Sequence, residues 1–531
     1  MVLGLAPLFL WPIAFLSFTV LVAMLDVAAE RSRADSRPLR AALRRAAHDG
    51  WWFGFGYFLF GLYWIANALL VEADTFAWLL PFAVTLIPAG LACYHAIGAS
   101  IAAVLWRPGP ARVVALAIGF TVAEYLRTYV LTGFPWNEIG YLLTADDGML
   151  QWASVGGIHA LTLAAVLLFA SPALLLDRGK DEPARRVRLG FMVAVVAMLL
   201  TLLAGRMVVE RPQVTAGGGP RIRLVQPNIA QSEKWDPDNK GRLFRHLIDL
   251  TRRGPDGTDS TLGAVDLVIW PESSIPFLLL DTPEALAEIA ALLPAGVQLV
   301  TGAVRAEPMP SASVAGEQQW RFYNSVLVLD DAAKLVDRYD KRHLVPFGEY
   351  LPLQRLLESL GFEQLTRQRG GFAAGAGQQR ISIQSLGEVR PLICYEAIFP
   401  DESSSTESRA PTRLLLNLTN DAWFGLSPGP YQHVQHARVR AVEQGAPLIR
   451  VANTGISTVI DRYGRPIAGL GLGKSGVVDV EFHRHYVGAT TIFGRLGNTA
   501  PLAALLSLVV VWLALNAALP ASTEVTRRLD R

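Results

Sequence analysis

Residues 389–400 read VRPLICYEAIFP. The short β-rich run VRPLI (389–393) leads straight into a thiol, a phenol and a carboxylate, Cys394, Tyr395 and Glu396. Reactive groups placed where a buried strand ends are where α/β sheets gather their sites. Similar β-rich runs stand at 221–226 (RIRLVQ), 266–270 (DLVIW), 297–301 (VQLVT), 324–329 (NSVLVL), 414–418 (LLLNL) and 447–452 (PLIRVA). Helical patterns lie between several of them, near 239–252, 283–292 and 432–444. Strands interleaved with helices predict an α/β layered fold for this part of the chain.

Outside it the composition changes. The chain of 531 residues is 51% hydrophobic and only 18% charged, with a mean hydropathy of +0.31. Soluble domains carry more charge, so part of the chain is expected in lipid. Seven segments have the ~20 apolar residues that a bilayer requires: roughly 2–25, 51–71, 77–105, 113–133, 151–176, 189–209 and 496–519. The expected division is 1–209 for six spans, 210–490 for the α/β domain, and 491–531 for the last span and a tail. Gly217-Gly218-Gly219-Pro220 reads as a linker.

Arginine and lysine mark the cytoplasmic side. The segments 31–47, 106–112 and 177–188 and the tail beyond 519 are basic. The alternate connections, 72–76 and 134–150, hold Glu72, Asp74, Glu138, Asp146 and Asp147 and no Lys or Arg. The two sets alternate, which predicts the α/β domain on the outer, periplasmic side of a bacterial inner membrane. The first segment also admits a signal-peptide reading with Val27-Ala28-Ala29 as cleavage site, although it lacks a basic leading stretch. A net charge of +2 gives no case for nucleic acid. Cys93 lies in an apolar run and Cys394 in the polar domain, so no disulfide framework is read.

Three positions carry the candidate chemistry. Glu272 follows LVIW in Trp270-Pro271-Glu272, Lys341 sits in a charged stretch at 339–349, and Cys394 ends VRPLI. Singly, each has a plain structural reading: a helix-capping Glu, a solvated Lys, a small core Cys. The surrounding words are WPES (270–273), DKRHLVPFGEYLP (340–352), ICYEAIFP (393–400), LTNDAWFG (418–425), YQHVQHARVRAVEQGAPLIRVANTG (431–455) and, in the apolar half, GFPWNEIGY (133–141). In these words and their order the chain resembles the nitrilase (carbon-nitrogen hydrolase) superfamily, and more closely its membrane branch, the apolipoprotein N-acyltransferases.

The resemblance implies a multi-pass α-helical membrane domain joined to an αββα sandwich with a Glu–Lys–Cys triad. A free thiol titrates near ~8.5, so a base must take its proton as it attacks an ester; that role falls to Glu272. The ammonium of Lys341 and the backbone N–H of Tyr395 are expected at the oxyanion. The implied reaction is ping-pong: a phospholipid acylates Cys394, and the α-amine of a diacylglyceryl-cysteine apolipoprotein takes the chain. Glu349 is expected to hold Lys341 and Glu396 to polarise the surroundings of the thiol. Trp235, in QPNIAQSEKWDPDN, is expected at the tip of a lid, and Trp423 and Phe424 either line an acyl groove or simply pack.

The resemblance also implies eight spans with a cytoplasmic N-terminus. Seven are legible here, with the N-terminus outside, which is read either as the first one missing or as residues 1–28 forming two short re-entrant pieces. No cofactor is expected, and a monomer is the plain reading. His433 and His436 have metal-ligand spacing but no clustered third ligand. The Gly-rich stretch 370–377 lacks a phosphate-loop ending. Glu124 and Arg127, three apart inside a span, read as a structural ion pair. Two other readings stay open: a membrane-tethered amidase, which the triad alone does not separate from an acyltransferase, and a transporter or receptor with an inert nitrilase-like domain.

Overall fold

The computed structural model describes residues 1–177, 182–209, 218–234, 236–258, 262–314, 317–359, 364–365, 371–376, 380–403, 412–483 and 486–518. The chain forms two compact units. One comprises Met1–Tyr63, Pro81–Glu210 and Leu496–Arg531; the other comprises Trp64–Leu80 and Arg211–Arg495.

The first unit is helical. Among the described residues six helices are long and apolar enough to cross a membrane: Ile13–Ser32, Ala73–Val104, Pro110–Thr132, Ala153–Leu176, Arg185–Met207 and Thr499–Ala517. Pro38–Gly61 bends by 49° into Tyr63–Leu70 and adds a seventh if that pair is one span. Two boundaries differ from the sequence reading. The first helix starts at Ile13, after Pro12, rather than near residue 2, because proline ends one backbone course and opens the next. The basic stretch 31–47 is mostly not a loop: Pro38 occupies the first helical turn and Arg40, Arg44 and Arg45 lie on the helix it opens.

The intramembrane charges are paired. Arg127 donates to Glu124 Oε2 from Nε at 2.9 Å, and His95 Nε2 lies 3.0 Å from Glu124 Oε1. The same guanidinium caps the carbonyls of Phe134 and, at 2.9 Å, Trp136. This is why the word GFPWNEIGY stands where it does. Its irregular backbone, costly away from water, is satisfied by side chains: Tyr57 Oη donates to Asn137 O (2.9 Å) and Asn137 Nδ2 to Gly61 O (3.1 Å).

The second unit is a sandwich of two six-stranded sheets. The strands are β1 Arg221–Gln226, β2 Leu267–Ile269, β3 Gln298–Val314, β4 Glu317–Leu329, β5 Leu335–Asp340, β6 Ile381–Ile383, β7 Gly387–Ile393, β8 Leu415–Thr419, β9 Leu448–Ala452, β10 Ser457–Ile460, β11 Pro466–Leu470 and β12 Gly476–Glu481. Their orders are β12-β1-β2-β3-β4-β5 and β11-β10-β9-β8-β7-β6. Each sheet has a parallel trio, β1-β2-β3 and β7-β8-β9, flanked by antiparallel strands.

Strand alternation builds the layers. Ile222, Leu224, Leu267, Ile269 and Val326 of one sheet meet Ile393, Leu416, Leu418, Ile449 and Val451 of the other in one core. The opposite face of the first sheet, with Val268, Trp270 and Leu299, packs on helices Lys240–Arg252 and Pro283–Leu292 through Leu247 and Ile289. The outer face of the second sheet, with Leu392, Leu415 and Leu448, packs on Ala437 and Ala441 of helix Pro428–Gln444. Strands buried on both sides read as near-continuous apolar runs, interrupted here by Asn417 in β8 and Arg450 in β9, which made β2, β8 and β9 legible.

Candidate active site

Glu272, Lys341 and Cys394 come from the ends of β2, β5 and β7, so the two sheets both contribute. Glu272 is held by a close approach of β3. A Cβ on Gly302 would lie 2.5 Å from Glu272 Cα and 2.6 Å from Pro271 O, so only glycine lets the strand pass there. Lys341 extends the β4–β5 ladder by one bond, Lys341 N to Asn324 O at 2.8 Å. Its Nζ donates to Glu349 Oε1 at 3.0 Å and stands 3.7 Å from Glu272 Oε1.

Asn324, on β4, ties these groups together. Its Nδ2 donates to Glu272 Oε1 (2.8 Å) and to Glu349 Oε1 (2.9 Å). Glu349 Oε2 in turn accepts Val345 N–H at 2.8 Å. Glu349 thus fixes Lys341 and closes its own loop. Lys341 is 1% exposed. Burial disfavours its charge, but Glu349 and Glu272 outweigh that and hold it above the ordinary lysine value.

Cys394 sits in the left-handed region at φ 49°, where a non-glycine residue is strained. It opens a 3₁₀ turn, Cys394–Ile398. Burial, then the Glu272 charge, push its thiol well above the usual range, and Lys341 pulls it back only in part. The sulfur is therefore a thiol at rest and needs a base to react.

Glu396 is a clamp. Its Oε1 accepts Tyr339 Oη–H (2.8 Å), Arg342 N–H (2.7 Å) and His343 N–H (3.2 Å), and its Oε2 accepts Ile393 N–H (2.6 Å). It binds the backbone beside Lys341 to the backbone beside Cys394. Burial and Glu402 push its carboxyl up to about 7 against these donors. The Tyr395 ring packs edge-on against His343 and Phe399 at 5.6 and 5.1 Å.

Trp423 and Phe424 share the 3₁₀ turn Asp421–Phe424. Phe424 packs on Trp64 at 4.6 Å and on His433 at 5.7 Å. Trp423 is half-buried. Trp235 lies outside the described residues.

Several contributors escaped the sequence reading. Asn324 had one signal, an amide opening an apolar strand run. Lys234 is 1% exposed and donates to the Glu272 carbonyl at 3.3 Å. Burial lowers it to about 8 against the pull of Glu272 and Cys394. His433 lies close to Cys394, with a ring nitrogen, the thiol and an Asp421 oxygen all within 4.8 Å of one another. Its Nδ1 faces Asp421 Oδ1 (2.8 Å) and its Nε2 the Cys394 carbonyl (3.1 Å). Arg450 Nη2 also reaches Nδ1 at 3.2 Å, so the lone pair of the neutral ring already has a donor.

Residues 221–491 match the carbon-nitrogen hydrolase family model, and residues 1–171 match that of the apolipoprotein N-acyltransferase N-terminal domain. An apolipoprotein N-acyltransferase of Rhodopseudomonas palustris is 44% identical over 98% of this chain and 94% of its own. One from Bradyrhizobium diazoefficiens is 45% identical over 96% and 92%. The chain belongs to the apolipoprotein N-acyltransferase family. Among solved structures, an amidase from Nesterenkonia sp. aligns with 52% of this chain and 95% of its own, at 18% identity and a TM-score of 0.34.

As a member of that family, the chain is a multi-pass membrane acyltransferase with a nitrilase-like αββα domain. Every candidate described here, from Lys234 to Arg450, lies within the carbon-nitrogen hydrolase match.

Proposed function

We propose that this chain moves a fatty acyl chain from a phospholipid to the α-amine of the N-terminal diacylglyceryl-cysteine of apolipoproteins, through a thioester on Cys394. The observation that carries the reading is the buried Lys341 ammonium shared by Glu272 and Glu349, in the same domain as the buried Cys394 that follows β7.

In the first half-reaction Sγ of Cys394 adds to the ester carbonyl as Glu272 takes the thiol proton. The carbonyl π electrons move to oxygen, and the resulting oxyanion lies against the Lys341 ammonium and the Tyr395 N–H. Collapse re-forms the carbonyl, breaks the C–O bond, and returns the proton from Glu272 to the departing lysophospholipid oxygen. In the second half-reaction the amine adds to the thioester, Glu272 takes its proton, and the thiol leaves reprotonated as the amide forms. Lys341 serves both steps because both pass through an oxyanion. Glu349 and Asn324 position it. Water must be kept from the thioester, and a lid carrying Trp235 fits that need.

Both substrates are lipid-anchored, which suits a multi-pass protein. The basic-loop pattern puts the domain on the periplasmic side of the inner membrane, and a monomer suffices for the chemistry.

Mass spectrometry of the purified protein mixed with phospholipid is the direct test. An acyl adduct on Cys394, discharged by a diacylglyceryl-cysteine peptide, is expected. An adduct discharged only by water would favour an amidase-like hydrolase. No adduct would remove the mechanism.

A further inference from the structure

The imidazole of His433 touches the backbone of the candidate nucleophile rather than its sulfur. Its Nε2 is 3.1 Å from the Cys394 carbonyl oxygen. A carbonyl only accepts, so Nε2 carries the hydrogen and donates. That carbonyl belongs to the peptide unit whose N–H is that of Tyr395, the backbone donor assigned to the oxyanion. A hydrogen bond accepted at one end of a peptide strengthens the donor at the other.

The ring is held by a chain of buried groups. Nδ1 lies 2.8 Å from Asp421 Oδ1 and accepts from Arg450 Nη2 at 3.2 Å; burial, then Arg450, hold the ring's pKa below the ordinary value, so it is the neutral Nε2–H tautomer. Asp421 Oδ1 also accepts Thr419 Oγ1–H (3.0 Å), and Oδ2 accepts Arg450 Nη2 (2.6 Å). Burial opposes the Asp421 charge, but Arg450 and His433 hold its carboxyl below the usual range. Arg450 Nη1 donates to Asn417 Oδ1, and Asn417 Nδ2 donates to the Leu392 carbonyl at 2.8 Å, two residues before the cysteine. His433, Asp421, Arg450 and Asn417 are fully or almost fully buried. The network therefore starts on β7, crosses β8 and β9, and returns through helix Pro428–Gln444 to the residue after β7.

We propose that His433 is a positioning residue for acyl transfer: its Nε2–H, oriented by Asp421 and Arg450, holds the Cys394–Tyr395 peptide so that the Tyr395 N–H meets the oxyanion. This rests on the proposed role of Cys394 and not on the identity of the acyl donor. The ring is not the base for the thiol, because Nε2 already carries a proton and Nδ1 accepts from Arg450 Nη2. The left-handed backbone of Cys394 gives the bond a second task, since a strained conformation persists only where its surroundings over-determine it.

The test uses the full-length protein in detergent with two probes. An aryl ester acylates Cys394 through an oxyanion, whereas iodoacetamide alkylates it without one. His433→Ala is expected to slow acylation by about tenfold to a hundredfold, less than outright loss of an oxyanion donor, while alkylation changes by no more than about threefold. His433→Gln, which restores an N–H donor but no ring base, is expected to recover most of the acylation rate.

Equal losses with both probes, no loss with either, or a Gln variant as slow as the Ala variant would each overturn the inference. If His433→Ala does not fold, the ratio of the two rates in His433→Gln and in Asp421→Asn still decides it. Acylation of the wild type by aryl ester but not by phospholipid would sink the donor assignment and leave the His433 inference testable. Absence of both would sink both.

Discussion

The helical unit and the sandwich each bury a carboxylate–cation cluster, and the two differ in what is left over. In the helical unit Glu124 has a cationic or imidazole partner on each oxygen, Arg127 on Oε2 and His95 on Oε1. What remains of Arg127 is spent on the Phe134 and Trp136 carbonyls and the Phe58 ring at 5.1 Å. In the sandwich Glu272 and Glu349 share one lysine and one asparagine. Among the described residues no hydrogen bond reaches Glu272 Oε2. A cluster whose carboxylate oxygens are both taken holds a fold together, even with His95 Nδ1 lacking a partner among the described residues. One with an unspent carboxylate oxygen beside a thiol has a proton acceptor available for chemistry.

Removing the thiol tests this contrast most severely. Cys394→Ala is expected to lower acyl transfer by about 10⁴-fold or more, as loss of a nucleophile does, with the unfolding temperature in detergent nearly unchanged. Normal turnover by this variant would end the reading of the sandwich cluster as reactive.

Next in size is Lys341→Ala. Loss of oxyanion stabilisation is expected to lower both half-reactions by about 10²–10³-fold, followed as adduct formation and adduct discharge. An effect on one half-reaction alone would break the shared-oxyanion role.

The helical cluster gives the matching control. Arg127→Met leaves Glu124 with His95 only and is expected to cost roughly 3–5 kcal/mol of stability, read by thermal unfolding in detergent. Turnover per folded molecule should hold. A drop in turnover matching that of Lys341→Ala would erase the distinction between the clusters.

The smallest effect concerns pH. The negative charge of Glu272 raises the Cys394 thiol pKa, so Glu272→Gln should lower it. The iodoacetamide labelling profile is expected to move to lower pH by about one unit, even as acyl transfer is lost. An upward shift would mean that Glu272 does not face the thiol as a charge.

The spans and most strands were legible because their signals are local. The run RIRLVQ at 221–226 coincides with β1, and helix Pro283–Leu292 with its sequence pattern. Strands β5, β6 and β10–β12 were not read. β5 (LVDRYD) has only one of its six residues fully buried and shows no apolar run, and β11 (PIAGL) carries a proline and a glycine, residues depleted in strands. Helix Pro38–Gly61 was misjudged at its start because basic residues suggest a loop, yet Arg and Lys are good helix formers.

The sequence by itself determined the two kinds of unit, the order of Glu272, Lys341 and Cys394, and the strand ends that carry Glu272 and Cys394. These depend on neighbours along the chain, through hydrophobic period and turn residues. Only the tertiary structure decided that Asn324 bridges two carboxylates, that Lys234 lies under Glu272, that Glu396 clamps two backbones, and that His433 holds the Cys394 peptide. Those bonds join residues 52, 38, 54 and 39 positions apart. Electrostatics and hydrogen bonds act through space, and no local pattern in the chain encodes which distant polar group a fold will bring within 3 Å.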